Sequence, residues 1–236
     1  NQLAFSPQTK RLPIFGLGCL AGVAGINRVH DYLEGHPEEA VLFLSSELCS
    51  LTFQLDDKSV ANMISNGLFA DGAAVVLMVG DRHPLASKKS GLKILGGQSF
   101  FYPDTERTMG WDVRGSGFKI VLSGNVPELV NENVPTNVKD FLAPHRLALS
   151  DIRFILAHPG GPKVLQAVQD SLGLEDDSLR RSWSSLRAHG NLSSVSVLNI
   201  IQRFFAESKE DGDMGMMFAM GPAFCSEFGL LQWEEA

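Results

Sequence analysis

The spacing of hydrophobic residues switches along the chain between strand-like and helix-like patterns. Apolar side chains recur every three or four positions over residues 20–33 and 194–206, which predicts two amphipathic helices. Nearly continuous apolar runs over 73–79 and 152–157 are typical of strands, and the first is typical of a strand buried on both faces. Because strand and helix patterns keep alternating, we predict an α/β fold with a central sheet covered by helices.

The other patterned segments extend this alternation. Further helices are predicted over 59–68, 127–142 and 163–172. Further strands are predicted over 40–44, 94–102, 117–122, 215–220 and 227–233. Pro135 falls inside one predicted helix, and we expect it near a break or in a first turn because proline cannot donate a backbone hydrogen bond.

The charge balance excludes one class of partner. The 236 residues include 20 Lys and Arg against 27 Asp and Glu, a net charge of −7 at pH 7. A nucleic-acid surface would need a basic stripe, so we expect no nucleic-acid partner. The densest basic cluster, Arg180, Arg181 and Arg187, follows two aspartates and is interpreted as a solvated helix face.

Hydropathy and cysteine content bear on location. The longest apolar stretch is interrupted by Gly and Pro and falls short of the ~18 apolar residues that a membrane-spanning helix needs. We expect no secretory signal peptide. Cys19, Cys49 and Cys225 are odd in number and far apart, without disulfide or zinc spacing. We therefore predict reduced cysteines, no metal, no membrane span and a cytoplasmic protein.

The first candidate for chemistry is Cys19. It follows an apolar approach and a Gly-x-Gly turn, and it precedes the helix predicted over 20–33. The free backbone N–H groups and dipole of a helix start favour a thiolate and can stabilise an oxyanion. The alternative is a small buried cysteine at a helix start, which is equally common.

The second candidate is His158. It ends the apolar strand predicted over 152–157 and precedes a Pro-Gly-Gly turn that begins a helix. In α/β folds the carboxyl end of a strand is where ligands bind. A turn histidine bonded to a nearby carbonyl is the alternative for any single histidine.

The third candidate is Asn191, within Gly-Asn-Leu-Ser-Ser before the helix predicted over 194–206. Its amide is a neutral hydrogen-bond donor for a carbonyl oxygen. The alternative is a helix N-terminal cap, and for Ser193 and Ser194 we predict this capping role.

Taken together, the three motifs form a Cys-His-Asn set in which 139 positions separate the first pair and 33 the second. In this arrangement the chain resembles the type III polyketide synthases, the chalcone synthase-like branch of the thiolase superfamily. Its Met-Gly-Trp-Asp-Val segment resembles the bacterial alkylpyrone- and alkylresorcinol-type enzymes. Further similar segments are Ser-Glu-Leu-Cys-Ser-Leu-Thr-Phe at 46–53, Gly-Leu-Phe-Ala-Asp-Gly-Ala-Ala at 67–74 and Met-Gly-Pro-Ala at 220–223, whose last residue is commonly glycine in the family.

The resemblance implies a thiolase-like fold with layered α-β-α architecture. Residues 1–84 would be the end of the N-terminal thiolase half, which carries the nucleophile, and residues 85–236 the C-terminal half, which carries the histidine and asparagine. A homodimer is implied as well. The chain opens at Asn1, and the family's usual N-terminal portion would precede it, so we expect a fragment or a shortened protein.

The resemblance also implies a mechanism. The Cys19 thiolate, paired with His158, would take the acyl group from an acyl-CoA. His158 and Asn191 would stabilise the enolate formed when malonyl-CoA loses CO₂, and a Claisen condensation would follow. No metal or organic cofactor is expected, because the thioester supplies the activation.

Pocket residues are carried over in the same way, each with core packing or a surface position as its alternative. The gatekeeper and substrate-pocket positions are Phe69, Cys49, Thr52, Trp111, Ile120, Gly221 and Pro222. The CoA-binding positions are Lys163, Gly160 and Gly161. A bulky Trp111 where the plant enzymes keep glycine would narrow one side of the cavity, and we expect a fatty acyl-CoA starter with a pyrone or resorcinol product.

Three alternatives stay open at this point. A β-ketoacyl carrier-protein synthase shares the Cys-His-Asn order, but its histidine is usually followed by Gln-Ala-Asn rather than by the Pro-Gly-Gly found here after His158. A catalytically silent subunit would follow from the missing basic CoA-binding residues. A papain-type thiol hydrolase uses the same residue types, but its signature around the cysteine is absent.

Overall fold

The computed structural model describes residues 4–86 and 91–235. Within these ranges the chain folds into helices and strands in alternation. The helices are α1 (Ala21–Gly35), α2 (Val60–Leu68), α3 (Val126–Leu142), α4 (Pro162–Leu172), α5 (Arg180–His189) and α6 (Val195–Phe205). The strands are β1 (Ala40–Glu47), β2 (Gly72–Val79), β3 (Gly91–Phe101), β4 (Met109–Arg114), β5 (Gly117–Leu122), β6 (Phe154–Ala157), β7 (Met214–Gly221) and β8 (Cys225–Glu234).

The strands form three separate sheets in the described part of the chain. The largest has the order β3–β8–β7–β6, in which β6 runs parallel to β7 and the other pairs are antiparallel. β1 pairs with β2, and β4 pairs with β5 as a hairpin. The hairpin therefore has no strand-to-strand bond to either of the other sheets.

Two hydrophobic clusters organise these elements into layers. One cluster joins α1 and α6 to one face of the four-stranded sheet and to the inner face of the β1–β2 pair. The other joins α3 and α4 to the opposite face of the four-stranded sheet. The order of layers is thus two-stranded sheet, helix pair, four-stranded sheet, helix pair, which confirms the predicted α/β class with a helix-covered sheet.

The strand β2 differs from its prediction. The apolar run predicts burial on both faces, but the side chains alternate between partly buried and exposed. Val75 and Leu77 are 59% and 57% exposed, whereas Val76 and Met78 contact the cluster around α1 and α6. The reason is that β2 belongs to a two-stranded sheet, and among the described residues only its inner face is covered by helices.

Pro135 also departs from its prediction, because α3 continues through it without a break. A proline inside a helix removes one backbone hydrogen bond and crowds the preceding turn. Val130, Val134 and Val138 on the same helix are almost fully buried against the core. Burial of this apolar stripe offsets the local cost, so tertiary packing overrides the local signal.

The basic cluster on α5 is solvated as predicted at Arg180 and Arg187, which are both exposed, but not at Arg181. The Arg181 side chain is only 13% exposed; it forms an ion pair with Glu207 and lies over the Phe204 ring, 5.2 Å from the ring centroid. Arg180 pairs with the same carboxylate at 2.6 Å. Arg180 and Arg181 therefore also fasten α5 to the end of α6.

The contact between the first turns of α1 and α6 gives a test of this architecture. A Cβ at Gly22 would lie 2.3 Å from the Ser194 carbonyl oxygen and 2.5 Å from Val197 Cγ1. We expect Gly22→Ala to force the helices apart and cost about 1–3 kcal/mol, measured as the free energy of unfolding in urea. Gly35→Ala is the control, because Gly35 lies on the same helix and a Cβ added there would have no atom within 4 Å. Equal stability of the two variants would contradict the close helix contact.

Candidate active site

Cys19 lies in a 3-10 turn formed by Gly18–Leu20, directly before α1. Gly18 makes the turn possible, because its φ of +49° is strained for other residues and a Cβ there would lie 2.7 Å from Pro222. The Cys19 side chain is 8% exposed. The positive end of the α1 dipole faces the side of the helix where Cys19 lies, and the N–H of Ala21, the first residue of α1, donates to the Gly18 carbonyl.

Asn191 is the residue that contacts Cys19. Its Nδ2 is 3.9 Å from Cys19 Sγ and donates a hydrogen bond to the Gly160 carbonyl at 3.2 Å. Its Oδ1 accepts a hydrogen bond from the Ser193 backbone N–H at 2.8 Å. These two partners, one acceptor and one donor, fix the amide orientation, with Nδ2 towards the strand end and with Nδ2 and Oδ1 at 3.9 and 4.0 Å from the sulfur. Asn191 is 1% exposed.

The backbone of Asn191 is fixed as firmly as its side chain. Its N–H donates to the Leu68 carbonyl at 2.7 Å, and its carbonyl accepts from Ala70 at 2.9 Å. Phe69 and Asn191 form a parallel β-bridge between these bonds. Gly190, with φ of +70°, allows the approach, because a Cβ there would lie 2.6 Å from the Leu68 oxygen. Phe69, the predicted gatekeeper, is thus held next to Asn191, the predicted hydrogen-bond donor.

His158 follows the last residue of β6, at the carboxyl end of this parallel strand. Its backbone N–H donates to Phe218 on β7 at 2.9 Å, and its carbonyl accepts from Gly160. The side chain is buried, and neither ring nitrogen has a hydrogen-bond partner among the described residues. Because Gly160 also bonds Asn191, the chain brings all three predicted catalytic residues to one buried place.

Burial determines the protonation of this group. Desolvation raises the pKa of Cys19 to about 11, although the Ser193 and Asn191 side chains act in the opposite direction. Desolvation lowers the pKa of His158 to about 3. Burial therefore favours a neutral thiol and a neutral imidazole, against the effect expected from the helix start. A Cys19 thiolate paired with His158 stays a prediction.

The serines beside Asn191 do not cap α6 as predicted. The Ser194 hydroxyl donates to Glu47 on β1 and lies 2.8 Å from the Ser45 hydroxyl, and no side-chain capping bond is made at the start of α6. Sequence reasoning missed Glu47 as a member of the site. The signal is its position two residues before Cys49, within a segment that the resemblance places along the pocket.

A cavity of about 250 Å³ lies beside the catalytic group. Five of the seven predicted pocket positions line it, namely Phe69, Cys49, Thr52, Trp111 and Ile120, together with Ser50, Phe53, Asn62, Ser65 and Asn66. Cys19, His158 and Asn191 are not among the lining residues. The cavity meets them through Phe69, whose side chain lines it and whose backbone pairs with Asn191.

The wall that carries Cys49 is fastened to the loop after Phe69. Asp71 accepts hydrogen bonds from the Ser50 N–H at 2.7 Å and the Ser50 hydroxyl at 2.6 Å. Thr52 Oγ1 donates to the Cys49 carbonyl at 2.8 Å. Burial raises the pKa of Cys49 to about 12, and the negative charge of Glu47 adds to this. Both effects favour the neutral Cys49 thiol near neutral pH.

Gly221 and Pro222 occupy a different place from the predicted one. They do not line the cavity but support the Cys19 turn from behind: a Cβ at Gly221 would lie 2.7 Å from the Leu17 oxygen. Ala223 has a left-handed φ of +57°, a conformation that glycine adopts without strain. Its N–H donates to the Met109 carbonyl at 2.9 Å, which ties this loop to the β4–β5 hairpin.

The predicted CoA-binding positions lie around the start of α4. Gly161 precedes the helix, and Lys163 is exposed on its first turn. Gly160 has a second role that the sequence did not reveal, because its carbonyl orients Asn191. A function for Lys163, Gly160 and Gly161 in holding CoA stays a prediction.

Matches to known families agree with this geometry. The family model described as chalcone and stilbene synthases, N-terminal domain, matches residues 1–82, and the corresponding C-terminal domain matches residues 94–232. The fold and the site define a member of the thiolase-like condensing proteins. The chain belongs to the chalcone and stilbene synthase family.

Individual relatives agree with this assignment. A 1,3,6,8-tetrahydroxynaphthalene synthase of Streptomyces peucetius subsp. caesius is 44% identical, and the alignment covers 98% of this chain and 61% of the relative. A phloroglucinol synthase of Pseudomonas fluorescens is 33% identical over 99% of this chain and 65% of the relative. The chain thus spans somewhat less than two thirds of the length of these relatives.

Solved structures confirm the predicted thiolase-like fold. The crystal structure of the 1,3,6,8-tetrahydroxynaphthalene synthase of Streptomyces coelicolor A3(2), a bacterial type III polyketide synthase, superposes with a TM-score of 0.93 at 32% identity. That superposition covers 100% of this chain and 66% of the other. In the described ranges 4–86 and 91–235, none of the helices has the length and apolar character needed to cross a membrane.

The protonation of Cys19 can be measured directly. With Cys49 and Cys225 both replaced by alanine, only Cys19 can react with iodoacetamide. Since burial places its pKa near 11, we expect the alkylation rate to rise about tenfold per pH unit from pH 7 to pH 10. Intact-protein mass spectrometry gives the rate, and circular dichroism at each pH verifies that the protein stays folded. A rate already at its plateau at pH 7 would contradict the neutral thiol and establish an ion pair with His158.

Proposed function

We propose that this chain performs the decarboxylative Claisen condensation of a type III polyketide synthase, with Cys19 as the acyl carrier. The observation that carries the proposal is a buried thiol and an oriented amide 3.9 Å apart, with the amide linked through Gly160 to His158, whose ring nitrogens have no partner among the described residues. The family assignment supports it, since relatives named as 1,3,6,8-tetrahydroxynaphthalene synthase and phloroglucinol synthase align over nearly the whole chain.

Acyl transfer to Cys19 is the first step. The sulfur attacks the carbonyl carbon of an acyl-CoA thioester, and the thiol proton passes to a ring nitrogen of His158, which has no competing partner in the described structure. The oxyanion forms near the start of α1, the positive end of the helix dipole. The CoA sulfur then leaves and takes up the proton, so that the acyl group is bound to Cys19 and both side chains are neutral again.

Condensation is the second step. Loss of CO₂ from malonyl-CoA breaks the bond to the carboxylate and leaves its electron pair as an enolate. We assign stabilisation of the enolate oxygen to the Nδ2–H of Asn191 and an N–H of the neutral His158 ring. The enolate carbon attacks the acyl carbon on Cys19, a carbon–carbon bond forms, and the cysteine sulfur leaves. A dry, buried site favours this step, because release of the carboxylate charge as neutral CO₂ suits an apolar environment.

The cavity is proposed to hold the growing chain. Its mixed wall includes Trp111, Ile120 and Phe69 on the apolar side and Thr52 and Asn62 on the polar side. The apolar side suits an alkyl starter and the polar side suits a poly-β-keto chain. We propose a fatty acyl-CoA starter with a pyrone or resorcinol product. The relatives named as tetrahydroxynaphthalene and phloroglucinol synthases favour a competing outcome, in which malonyl-CoA serves as both starter and extender.

The remaining properties are proposed on the same basis. Acyl-CoA and malonyl-CoA are the substrates, and the thioester itself activates both carbonyls, so the scheme uses no metal or organic cofactor. Homodimerisation is proposed from the family. A cytoplasmic location is proposed from the three cysteines, none of which forms a disulfide among the described residues.

The nucleophile assignment predicts an all-or-none result for one cysteine. After incubation with a long-chain acyl-CoA, intact-protein mass spectrometry should show one acyl adduct, and malonyl-CoA should discharge it as product. Cys19→Ala should abolish the adduct and the product together, while Cys49→Ala and Cys225→Ala should change their amounts only in degree. Persistent covalent loading in Cys19→Ala would refute the assignment. Product formed from malonyl-CoA alone, with no adduct from the long-chain acyl-CoA, would show that the starter is malonyl-CoA and not a fatty acyl-CoA.

The assignment of Asn191 as the enolate donor predicts that its substitution impairs condensation but not acyl loading of Cys19. Asn191→Asp keeps an oxygen for the Ser193 N–H but replaces the donors at Nδ2 by an acceptor. We expect acyl loading of Cys19 to persist and malonyl-CoA turnover to fall by about 10²–10³-fold, the usual loss for one oxyanion donor. Stopped-time product analysis by liquid chromatography gives the turnover. Unchanged turnover would contradict a donor role for Asn191. A loss of acyl loading as large as the loss of turnover would contradict a role confined to the enolate step.

A further inference from the structure

We infer that a polar clamp, formed by Asp57, Lys119 and Gln54, sets the width of the cavity and thereby the size of chain that the site accepts. The inference rests on the proposed function for its consequence on products, but its structural part is independent of that function. None of the three residues lines the cavity, so sequence resemblance around the pocket does not reveal them.

The clamp is needed because the cavity has two walls that share no sheet. One wall comes from the turn Cys49–Thr52 and from α2, and the other from the β4–β5 hairpin, which presents Trp111 and Ile120 as a directly opposed cross-strand pair. The hairpin has no strand pairing to the rest of the described structure. Its position relative to the first wall must therefore be set by side-chain contacts and by the bond between Ala223 and Met109 at its base.

The first of these side-chain contacts is an ion pair. Lys119 Nζ on β5 lies 2.9 Å from Asp57 Oδ2 in the loop before α2, and the two side chains are only 29% and 13% exposed. Asp57 is itself fixed, because its Oδ1 accepts the Ser59 N–H at 2.9 Å. The pair therefore connects a fixed point of the first wall to the strand that carries Ile120.

Gln54 adds a second connection at the same side. Its Nε2 lies 3.4 Å from the carbonyls of both Ser116 and Phe118, and its Oε1 accepts the Ser116 hydroxyl at 2.8 Å. Gln54 and Asp57 lie in the loop before α2. Buried Asn62 holds the backbone of this loop, because its Nδ2 donates to the Gln54 and Asp57 carbonyls at 3.0 and 2.7 Å. The loop is thus rigid on the side of α2 and reaches across to the hairpin.

The expected consequence follows from this geometry. Without the clamp the hairpin stays attached at its base but its far end is released, which moves Trp111 and Ile120 away from Cys49. The cavity then widens without any change at Cys19, His158 or Asn191. The three clamp residues act through the wall and not on the substrate, so they are positioning residues and not catalytic ones.

Cys49 provides a reporter that does not need enzyme turnover. It lines the cavity, so the rate at which a bulky maleimide labels it, relative to N-ethylmaleimide, reports the cavity width. Labelling at pH 9 and peptide mass spectrometry of the full chain separate Cys49 from Cys19 and Cys225. Asp57→Asn is the first test variant, because it removes the charge but keeps an oxygen for the Ser59 N–H. Lys119→Gln removes the partner charge.

Two matched variants serve as controls. Lys119→Arg preserves the ion pair and should behave as wild type. Asp112→Asn removes one negative charge, as Asp57→Asn does, but on the hairpin that carries Lys119. Asp112 pairs with Arg107 at 2.7 Å and with Arg114, so its ion pairs stay within the hairpin region and do not span the cavity. Thermal melts of all variants verify that the fold is retained.

We expect the bulky-to-small labelling ratio to rise about threefold in Asp57→Asn and Lys119→Gln, the size of change that one partly screened ion pair can produce. Products from a mixture of acyl-CoA starters should shift towards longer chains in the same variants. An unchanged ratio in both, or an equal rise in Asp112→Asn, would overturn the clamp. A wild-type protein that forms no product would overturn the proposed function alone, because the labelling ratio still decides the clamp.

Discussion

The hydrogen bonds of Asn191 are the interaction on which the arrangement of the site depends. The residue joins three segments that are far apart in sequence: the Cys19 turn through its amide, the strand end after His158 through Gly160, and the loop at Phe69 through its backbone. Its side-chain oxygen is occupied by Ser193, so the donor end of the amide has only one orientation available. A buried polar group with all its partners satisfied is rigid, and here that rigidity is transmitted to each reacting side chain.

Burial is the second constraint, and it acts on the chemistry in two directions. It raises the pKa of Cys19 and lowers that of His158, which favours an uncharged resting pair. An uncharged pair costs less to bury than separated ions, which explains how both side chains lie in the core without a countercharge. The same dryness strengthens any hydrogen bond to a developing enolate. Under the proposed function, burial thus disfavours a charged Cys19 at rest and strengthens the hydrogen bonds to the enolate.

Much of this could be predicted from the sequence, because the strongest signals are local. The periodic stripes of α1 and α6 and the three motifs around Cys19, His158 and Asn191 need no tertiary information. The errors arise where tertiary contacts decide. Pro135 stays helical because valines beside it are buried, and Ser194 turns to Glu47 because β1 lies across from α6. The outer face of β2 shows that a run of apolar residues cannot reveal how many faces are covered.

The two walls of the cavity are held by different physical means, and under the proposed function this would separate catalysis from selectivity. The wall at Phe69 is tied by backbone bonds to Asn191, so any shift there would also displace the proposed enolate donor. The hairpin wall is tied at its base by one backbone bond to Ala223 and elsewhere by side chains, whose loss leaves the backbone of the site in place. Substitutions of these side chains can therefore change the width of the cavity while the geometry of Cys19, His158 and Asn191 stays constant. A fold built in this way can change the space beside a buried site through a few side-chain contacts without rebuilding the site itself.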